Sequence, residues 1–155
     1  MHSPLPLSDA EIRSQFAAQR QSGKRAKDAA EAMGISEGLA VAAHLSSLQG
    51  GRATGPQATR LRGDWLDLLK ALTTCGPVLA LTRNPSTVHE KTGVYRQVSG
   101  NVAMVLVLAG DIDLRLFFKR WHAGFAVTEL AANPGNRVQP SLQFFDAHGT
   151  AVHKI

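Results

Sequence analysis

The dipeptide Gly76–Pro77 divides this 155-residue chain into two parts whose hydrophobic patterns differ. Before it, apolar residues recur at the three- and four-residue spacing of amphipathic helices, most clearly in residues 64–76. After it come short runs rich in Val, Leu and Phe, separated by Gly, Asn, Asp or Pro, which are typical of strands. Because helices come first and strands follow, the sequence predicts an α+β fold with N-terminal helices and a mainly antiparallel sheet.

Helices are predicted where a polar cap precedes apolar residues at helical spacing. Ser8 and Glu11 form a Ser-x-x-Glu capping box at the start of the first helix. Gly34 ends the second helix, and Ser36 and Asp64 are suitable caps for the third and fourth. The predicted helices run from Ser8 to Arg20, Lys24 to Met33, Ser36 to about Leu45 and Asp64 to Gly76.

The strands are predicted from apolar runs bounded by turn residues. They are Val78 to Thr82, Val94 to Val98, Val102 to Leu108, Leu114 to Lys119, Gly124 to Leu130, Leu142 to Asp146 and Ala151 to Ile155. Residues 46–63 are rich in Gly, Ser and Thr without an apolar period, which predicts a loop. The expected organisation is a single domain over 1–155, with 1–45 helical, 46–63 loop, 64–76 helix and 77–155 antiparallel sheet.

Composition limits the class of protein. No apolar run reaches the roughly 18 residues that a membrane-spanning helix needs. The first residues carry neither a basic start nor a long apolar block, so no signal peptide is predicted and a cytoplasmic location is expected. Cys75 is the only cysteine, which excludes an internal disulfide. The sequence contains no Cys-x-x-Cys-His string, which excludes covalent c-type haem attachment. The net charge of +5 is spread along the chain without a block of like charge, which favours a solvated surface.

Residues 26–44 have a pattern that fits either a DNA-binding helix-turn-helix or a structural helical hairpin. Ala30, Gly34 and Ile35 fall where a helix-turn-helix places its small residue, its turn glycine and the following apolar residue. The helix that would read the bases, 36–45, contains no Arg, Lys, Asn or Gln to contact base edges. A helical hairpin packed on the domain is therefore the favoured prediction, and no nucleic-acid partner is expected.

Three strings of unusual sequence carry a family resemblance. They are LTRNPSTVHEKTGVY (Leu81 to Tyr95), DIDLRLFFKRWHAGFAV (Asp111 to Val127) and SLQFFDAHGTAVHKI (Ser141 to Ile155). Together they resemble the haemin-degrading and haem-trafficking HemS/ChuX-like proteins of the bacterial cytoplasm. Those proteins usually carry two tandem related halves, and this chain resembles the N-terminal half.

The resemblance implies helices flanking a large twisted antiparallel sheet, and it implies haem (iron protoporphyrin IX) as the bound cofactor. The implied function is cytoplasmic haem binding in haem uptake and iron acquisition, with haem transfer or haem-oxygenase-like degradation left open. A haem importer or a haem oxygenase would be the partner, and a homodimer would restore a two-half arrangement. The alternative is a non-enzymatic truncated or degenerate module that acts through protein contacts.

The resemblance also selects candidate site residues. It implies His89 as a contact of the haem iron and Arg115 on the distal side of the haem. The sequence itself predicts that His89 lies in a loop before a strand. His122 is a second choice of ligand, whereas Tyr95 is expected to be a packed aromatic residue and His153 to point off the last strand. Alternation along the strand at 114–119 adds Phe117 as a wall beside Arg115. It predicts one face with Arg115, Phe117 and Lys119 and an apolar face with Leu114, Leu116 and Phe118.

Overall fold

The computed structural model describes residues 6–45, 55–84, 86–130 and 137–155. The helices within them are α1 (Asp9–Gln21), α2 (Ala26–Ala32), α3 (Glu37–Ala42) and α4 (Trp65–Ala71), and a short 3-10 helix, Leu72–Thr74, follows α4. The strands are β1 (Gln57–Arg60), β2 (Pro77–Arg83), β3 (Val88–Val94), β4 (Gln97–Gly100), β5 (Met104–Ala109), β6 (Ile112–Phe117), β7 (Ala123–Leu130), β8 (Val138–Phe145) and β9 (Ala151–Lys154). A second 3-10 helix, Phe118–Arg120, follows β6.

The strands form two sheets. Six of them lie in the order β1-β7-β8-β9-β2-β3, and the remaining three lie in the order β4-β5-β6. The five strand pairs whose register is described are antiparallel. The predicted α+β class, with helices first and an antiparallel sheet after them, is confirmed.

Contacts group the chain into two compact units, one made of Met1–Thr59 with Val127–Pro140 and the other of Arg60–Ala126 with Ser141–Ile155. Strands β7 and β8 each contribute residues to both units. The single domain over 1–155 stays a prediction. No helix of the described residues is long and apolar enough to cross a membrane.

The first unit contains α1, α2 and α3. Helix α1 begins with the predicted capping box, in which the Ser8 amide donates to Oε2 of Glu11 (2.8 Å) and the Glu11 amide donates to Oγ of Ser8 (3.4 Å). Gly34 adopts a φ of +68° in the turn between α2 and α3, a conformation that glycine reaches without strain. Phe16 packs here against Ala29, Ala30 and Ala40. Helix α3 exposes Leu39 and buries Glu37, so it presents no base-reading side chain.

The second unit contains α4 and most of the strands around an aromatic core. The Trp121 ring stacks on Phe144 with centroids 4.0 Å apart, and Trp65 meets Phe144 edge to face at 5.5 Å. Gly124 makes room for this cluster, because a Cβ there would lie 2.9 Å from Cη2 of Trp65. The same core also contains aliphatic residues, among them Leu69 from α4.

Two strands lie where the sequence predicted loop. Strand β1 falls inside residues 46–63, of which 46–54 lie outside the described residues, and β3 contains His89, which was expected in a loop. Both are edge strands of the six-stranded sheet, and both are largely polar. An edge strand of this kind lacks the apolar alternation on which the prediction depended. The predicted strand Val94 to Val98 is also interrupted, since β3 ends at Val94 and β4 begins at Gln97.

Candidate functional site

The outer face of the three-stranded sheet is open to solvent. In antiparallel pairing, residues directly opposite each other project on the same side of the sheet. The register pairs Leu106 with Arg115 and Met104 with Phe117, and Ser99 of β4 lies opposite Leu106. This side, which we call the open face, consists of Gln97, Ser99, Met104, Leu106, Leu108, Asp113, Arg115 and Phe117.

Arg115 and Phe117 lie together on the open face, as the alternation of β6 predicted. Phe117 is 54% exposed and the Arg115 side chain is exposed, while Leu114 and Leu116 of the same strand are buried. Arg115 makes no hydrogen bond or ion pair with any described residue. Lys119 was predicted to share this face, but it lies in the 3-10 helix after β6, where strand alternation no longer applies.

The open face has an apolar stripe along β5, flanked by Asp113 and Arg115 of β6 and by Gln97 and Ser99 of β4. Met104 and Leu106 are half-buried and Leu108 is 40% exposed, and the three follow one another along the central strand. A flat conjugated ligand can lie on such a stripe, with Phe117 in ring contact and Arg115 available to a negative or electron-rich group. Ligand sites of this kind are mostly apolar with a small number of well-placed polar groups.

His89 lies away from this surface. It projects from β3 on the same face as Lys91 and Gly93, and it is opposite Thr82 of β2. At Gly93 that face approaches Ile112, which belongs to the buried side of the three-stranded sheet. The structure therefore brings Arg115 and Phe117 together but does not place His89 on the open face. The His89 side chain is exposed at the edge of the sheet.

A pocket of about 450 Å³ lies at one end of the open face. Leu108 and Gln97, which are opposite each other in the sheet, belong to its wall. Its other lining residues are Arg96, which precedes β4, and Gly110 and Asp111, which form the turn between β5 and β6. The pocket thus joins the apolar stripe to a cation and a carboxylate.

The other histidines are placed in different ways. His122, the second-choice ligand, is exposed before β7, and its amide donates to the Phe145 carbonyl (2.8 Å). His148 is exposed in the turn between β8 and β9. His44 is buried, and its Nδ1 lies 2.7 Å from the Ala40 carbonyl oxygen. Within the described residues no three His, Cys, Asp or Glu side chains are grouped to hold a metal ion.

His153 was predicted wrongly. It is fully buried rather than pointing off the last strand, with Nδ1 2.9 Å from Oγ1 of Thr82 and Nε2 3.0 Å from the Tyr95 hydroxyl. Desolvation lowers the pKa of His153 to about 4, and burial raises the pKa of Tyr95. A neutral imidazole satisfies both partners, because one ring nitrogen donates and the other accepts. Tyr95 is a packed aromatic residue, as predicted.

The apolar lining of the open face was not predicted from the sequence. Residues 102–108 are apolar at every position, so no alternation of apolar and polar residues shows which side of the strand faces solvent. The missed signal is the Gly110–Asp111 dipeptide between two apolar runs, which is typical of a two-residue hairpin turn and fixes the register of β5 against β6. That register places Met104, Leu106 and Leu108 beside Arg115 and Phe117.

Comparison with known proteins identifies relatives over most of the chain. Residues 35–155 match the family described as the haemin-degrading HemS.ChuX domain. The hemin transport protein HemS of Yersinia enterocolitica is 38% identical over 135 residues, which are 86% of this chain and 35% of HemS.

Two solved structures are similar in fold and sequence. The crystal structure of holo-PhuS, a heme-binding protein from Pseudomonas aeruginosa, has a TM-score of 0.80 and 42% identity, over 96% of this chain and 40% of PhuS. The heme-degrading enzyme ChuS of Escherichia coli O157:H7 has a TM-score of 0.78 and 29% identity, over 95% of this chain and 41% of ChuS. This chain therefore spans well under half the length of these relatives.

Proposed function

This chain belongs to the haemin-degrading HemS.ChuX domain family, and from that premise we propose that it binds haem on its open face. The observation that carries the proposal is that Arg115 and Phe117 lie side by side on the same exposed face, next to the apolar stripe of β5. HemS and PhuS are named for hemin transport and heme binding, which supports haem as the ligand. Handling of imported haem in the cytoplasm, for transfer or for release of iron, is part of the same proposal.

The chemistry of the open face fits haem. Phe117 and the leucines of β5 offer ring and aliphatic contacts to the macrocycle, and Arg115 offers a cation that no described residue neutralises. Burying apolar surface contributes about 25 cal/mol per Å². A flat apolar ligand that covers the half-exposed Phe117 and Leu108 therefore buries their apolar surface, and this burial stabilises the complex.

Ligation of the iron by His89 is a separate part of the proposal. His89 is exposed and has no hydrogen-bond partner among the described residues, so its imidazole is available to a metal. Because His89 lies off the open face, ligation by it requires haem at the edge of β3 instead. A haem on the open face would take its iron ligand from elsewhere, and a second copy of the chain in a homodimer could supply one.

A titration with haemin followed by visible absorption tests the proposal. We expect a saturable one-to-one change that weakens several-fold in Arg115→Ala and Phe117→Ala. The matched control is Arg62→Ala, since Arg62 is an exposed arginine between β1 and α4, outside the open face. If only His89→Ala lost binding, the result would indicate that haem binds at the edge of β3 and not on the open face. A wild-type chain without a saturable change would contradict haem binding and favour a module that acts through protein contacts.

Degradation and transport are distinguished by a second measurement on the haem-loaded chain. Bound haem would supply the redox-active iron that oxidative cleavage of the ring needs, while the chain holds and orients the macrocycle. With ascorbate and oxygen, a degrading enzyme loses the Soret band, whereas a carrier keeps it and transfers haem to an acceptor. Equal Soret loss with free haemin would count against catalysis by the chain.

A further inference from the structure

We propose that the pocket lined by Arg96, Gln97, Leu108, Gly110 and Asp111 is a carboxylate subsite that takes a propionate group of the ligand, with Arg96 as the group that binds it. The inference rests on the proposed function, because it assigns one end of the haem to this pocket. It orients the macrocycle along the strands of the open face.

The pocket lies at one end of the open face, within reach of a ligand that covers the apolar stripe. Leu106 is opposite Arg115 in the sheet, and Leu108 lies two residues further along β5. The side chains of Leu106 and Leu108 are therefore about 7 Å apart on the same face. Leu108 belongs both to the apolar stripe and to the pocket wall. A flat ligand that covers Phe117 and Leu106 therefore extends its far edge to the pocket. The propionates of haem are at one edge of the ring, which matches this arrangement.

The lining of the pocket includes polar residues, and Arg96 among them can bind a carboxylate. The Arg96 side chain is exposed and makes no hydrogen bond or ion pair with the described residues. A guanidinium binds a carboxylate through two parallel hydrogen bonds, which gives direction as well as attraction. Gln97 lines the same pocket, and its side chain contains an amide donor. Gly110 lines the pocket without a side chain, and nothing lies within 4 Å of the place where its Cβ would be.

Asp111 carries the opposite charge to Arg96, so the effects of the two residues on affinity for a carboxylate can be compared. Asp111 lines the same pocket, and its carboxylate forms no ion pair with Arg96. A bound propionate is attracted by Arg96 and repelled by Asp111, so removing each charge should change affinity in opposite directions. Damage to the fold would weaken binding in both variants and cannot produce this pattern.

The experiment compares the affinities for haemin and for haemin dimethyl ester, in which both carboxylates are blocked. We expect the wild-type chain to prefer haemin by roughly three- to tenfold, as for a partly exposed charge-assisted contact. Arg96→Gln should remove most of this preference, and Asp111→Asn should increase it. Arg62→Gln removes an exposed arginine elsewhere and should leave the preference unchanged.

The outcomes separate this inference from the proposed function. Equal affinity of the wild-type chain for haemin and its diester would overturn the carboxylate subsite, although haem binding itself would stand. A preference that persists in Arg96→Gln would overturn the role of Arg96. Failure to bind either porphyrin would overturn the proposed function and this inference with it.

Discussion

The hydroxyl of Tyr95 lies 3.0 Å from Nε2 of His153, and both side chains are completely buried. Tyr95 is in the short connection between β3, the edge of the six-stranded sheet, and β4, the edge of the three-stranded sheet. This hydrogen bond therefore ties the connection between the two sheets to β9. The opposite nitrogen of the ring, Nδ1, lies 2.9 Å from the Thr82 hydroxyl of β2.

Removing the Tyr95 hydroxyl should destabilise the chain. Tyr95→Phe keeps the ring but leaves Nε2 of His153 buried without a partner, which costs about 1–3 kcal/mol. Chemical denaturation of the wild type and the variant measures this loss. In the His153→Phe background the same substitution should cost much less, because the partner is already absent. Equal costs in the two backgrounds would show that the hydrogen bond is not the cause.

The buried His153 should make stability fall with acid. Its folded-state pKa of about 4 is below the ordinary value of 6.5, so between these pH values the unfolded chain binds a proton that the folded chain does not. The free energy of unfolding should decrease as the pH is lowered from about 6.5 toward 4, by roughly 3 kcal/mol from this residue. Burial also lowers the pKa of His44, which adds in the same direction.

Denaturation at pH 7.5, 5.5 and 4.5 measures this dependence. His153→Gln should lower stability at pH 7.5 but flatten the decrease toward acid. His148→Gln changes an exposed histidine in a turn and should leave the wild-type slope unchanged. A wild-type slope retained in His153→Gln would assign the acid sensitivity to other groups.

Adjacent phenylalanines should separate function from stability. Phe117 is 54% exposed on the open face and Phe118 is 7% exposed in the core. Phe118→Ala should lower the free energy of unfolding by about 3–5 kcal/mol, as for a large core side chain. Phe117→Ala should change it by less than about 0.5 kcal/mol and instead weaken haem binding several-fold. A large loss of stability in Phe117→Ala would mean that Phe117 has a structural role.

Gly93 should be required for the approach of β3 to β6. A Cβ at this position would lie 2.8 Å from Cγ1 of Ile112, closer than real side chains pack. Gly93→Ala should therefore cost about 1–3 kcal/mol through overpacking. In the Ile112→Ala background the added methyl group has space, so the two substitutions together should cost less than their sum. Strict additivity in denaturation would contradict the close contact.

The sequence predicted correctly those features that depend on residues close together along the chain. The capping box at Ser8 fixed the start of α1 because its hydrogen bonds lie within four residues of the chain. Alternation placed Arg115 and Phe117 on one exposed face of β6, because Leu114 and Leu116, which alternate with them along the strand, are apolar.

The sequence was less informative wherever a residue's neighbours come from distant segments. Strand β3 was missed because its polar residues are stable as a strand only beside β2. The burial of His153 depends on Tyr95 and Thr82, 58 and 71 residues away along the chain. The apolar lining around Arg115 likewise depends on the register of β5 against β6.

Binding of haem on the open face can be located residue by residue by nuclear magnetic resonance of the ¹⁵N-labelled chain. Paramagnetic haemin should broaden the amide signals of β5 and β6 around Leu106 and Arg115, whereas diamagnetic zinc protoporphyrin should shift the same signals without broadening them. Amides near His89 on β3 should be affected less. Broadening centred on His89, with Leu106 and Arg115 unchanged, would rule out binding on the open face and place the haem at the edge of β3.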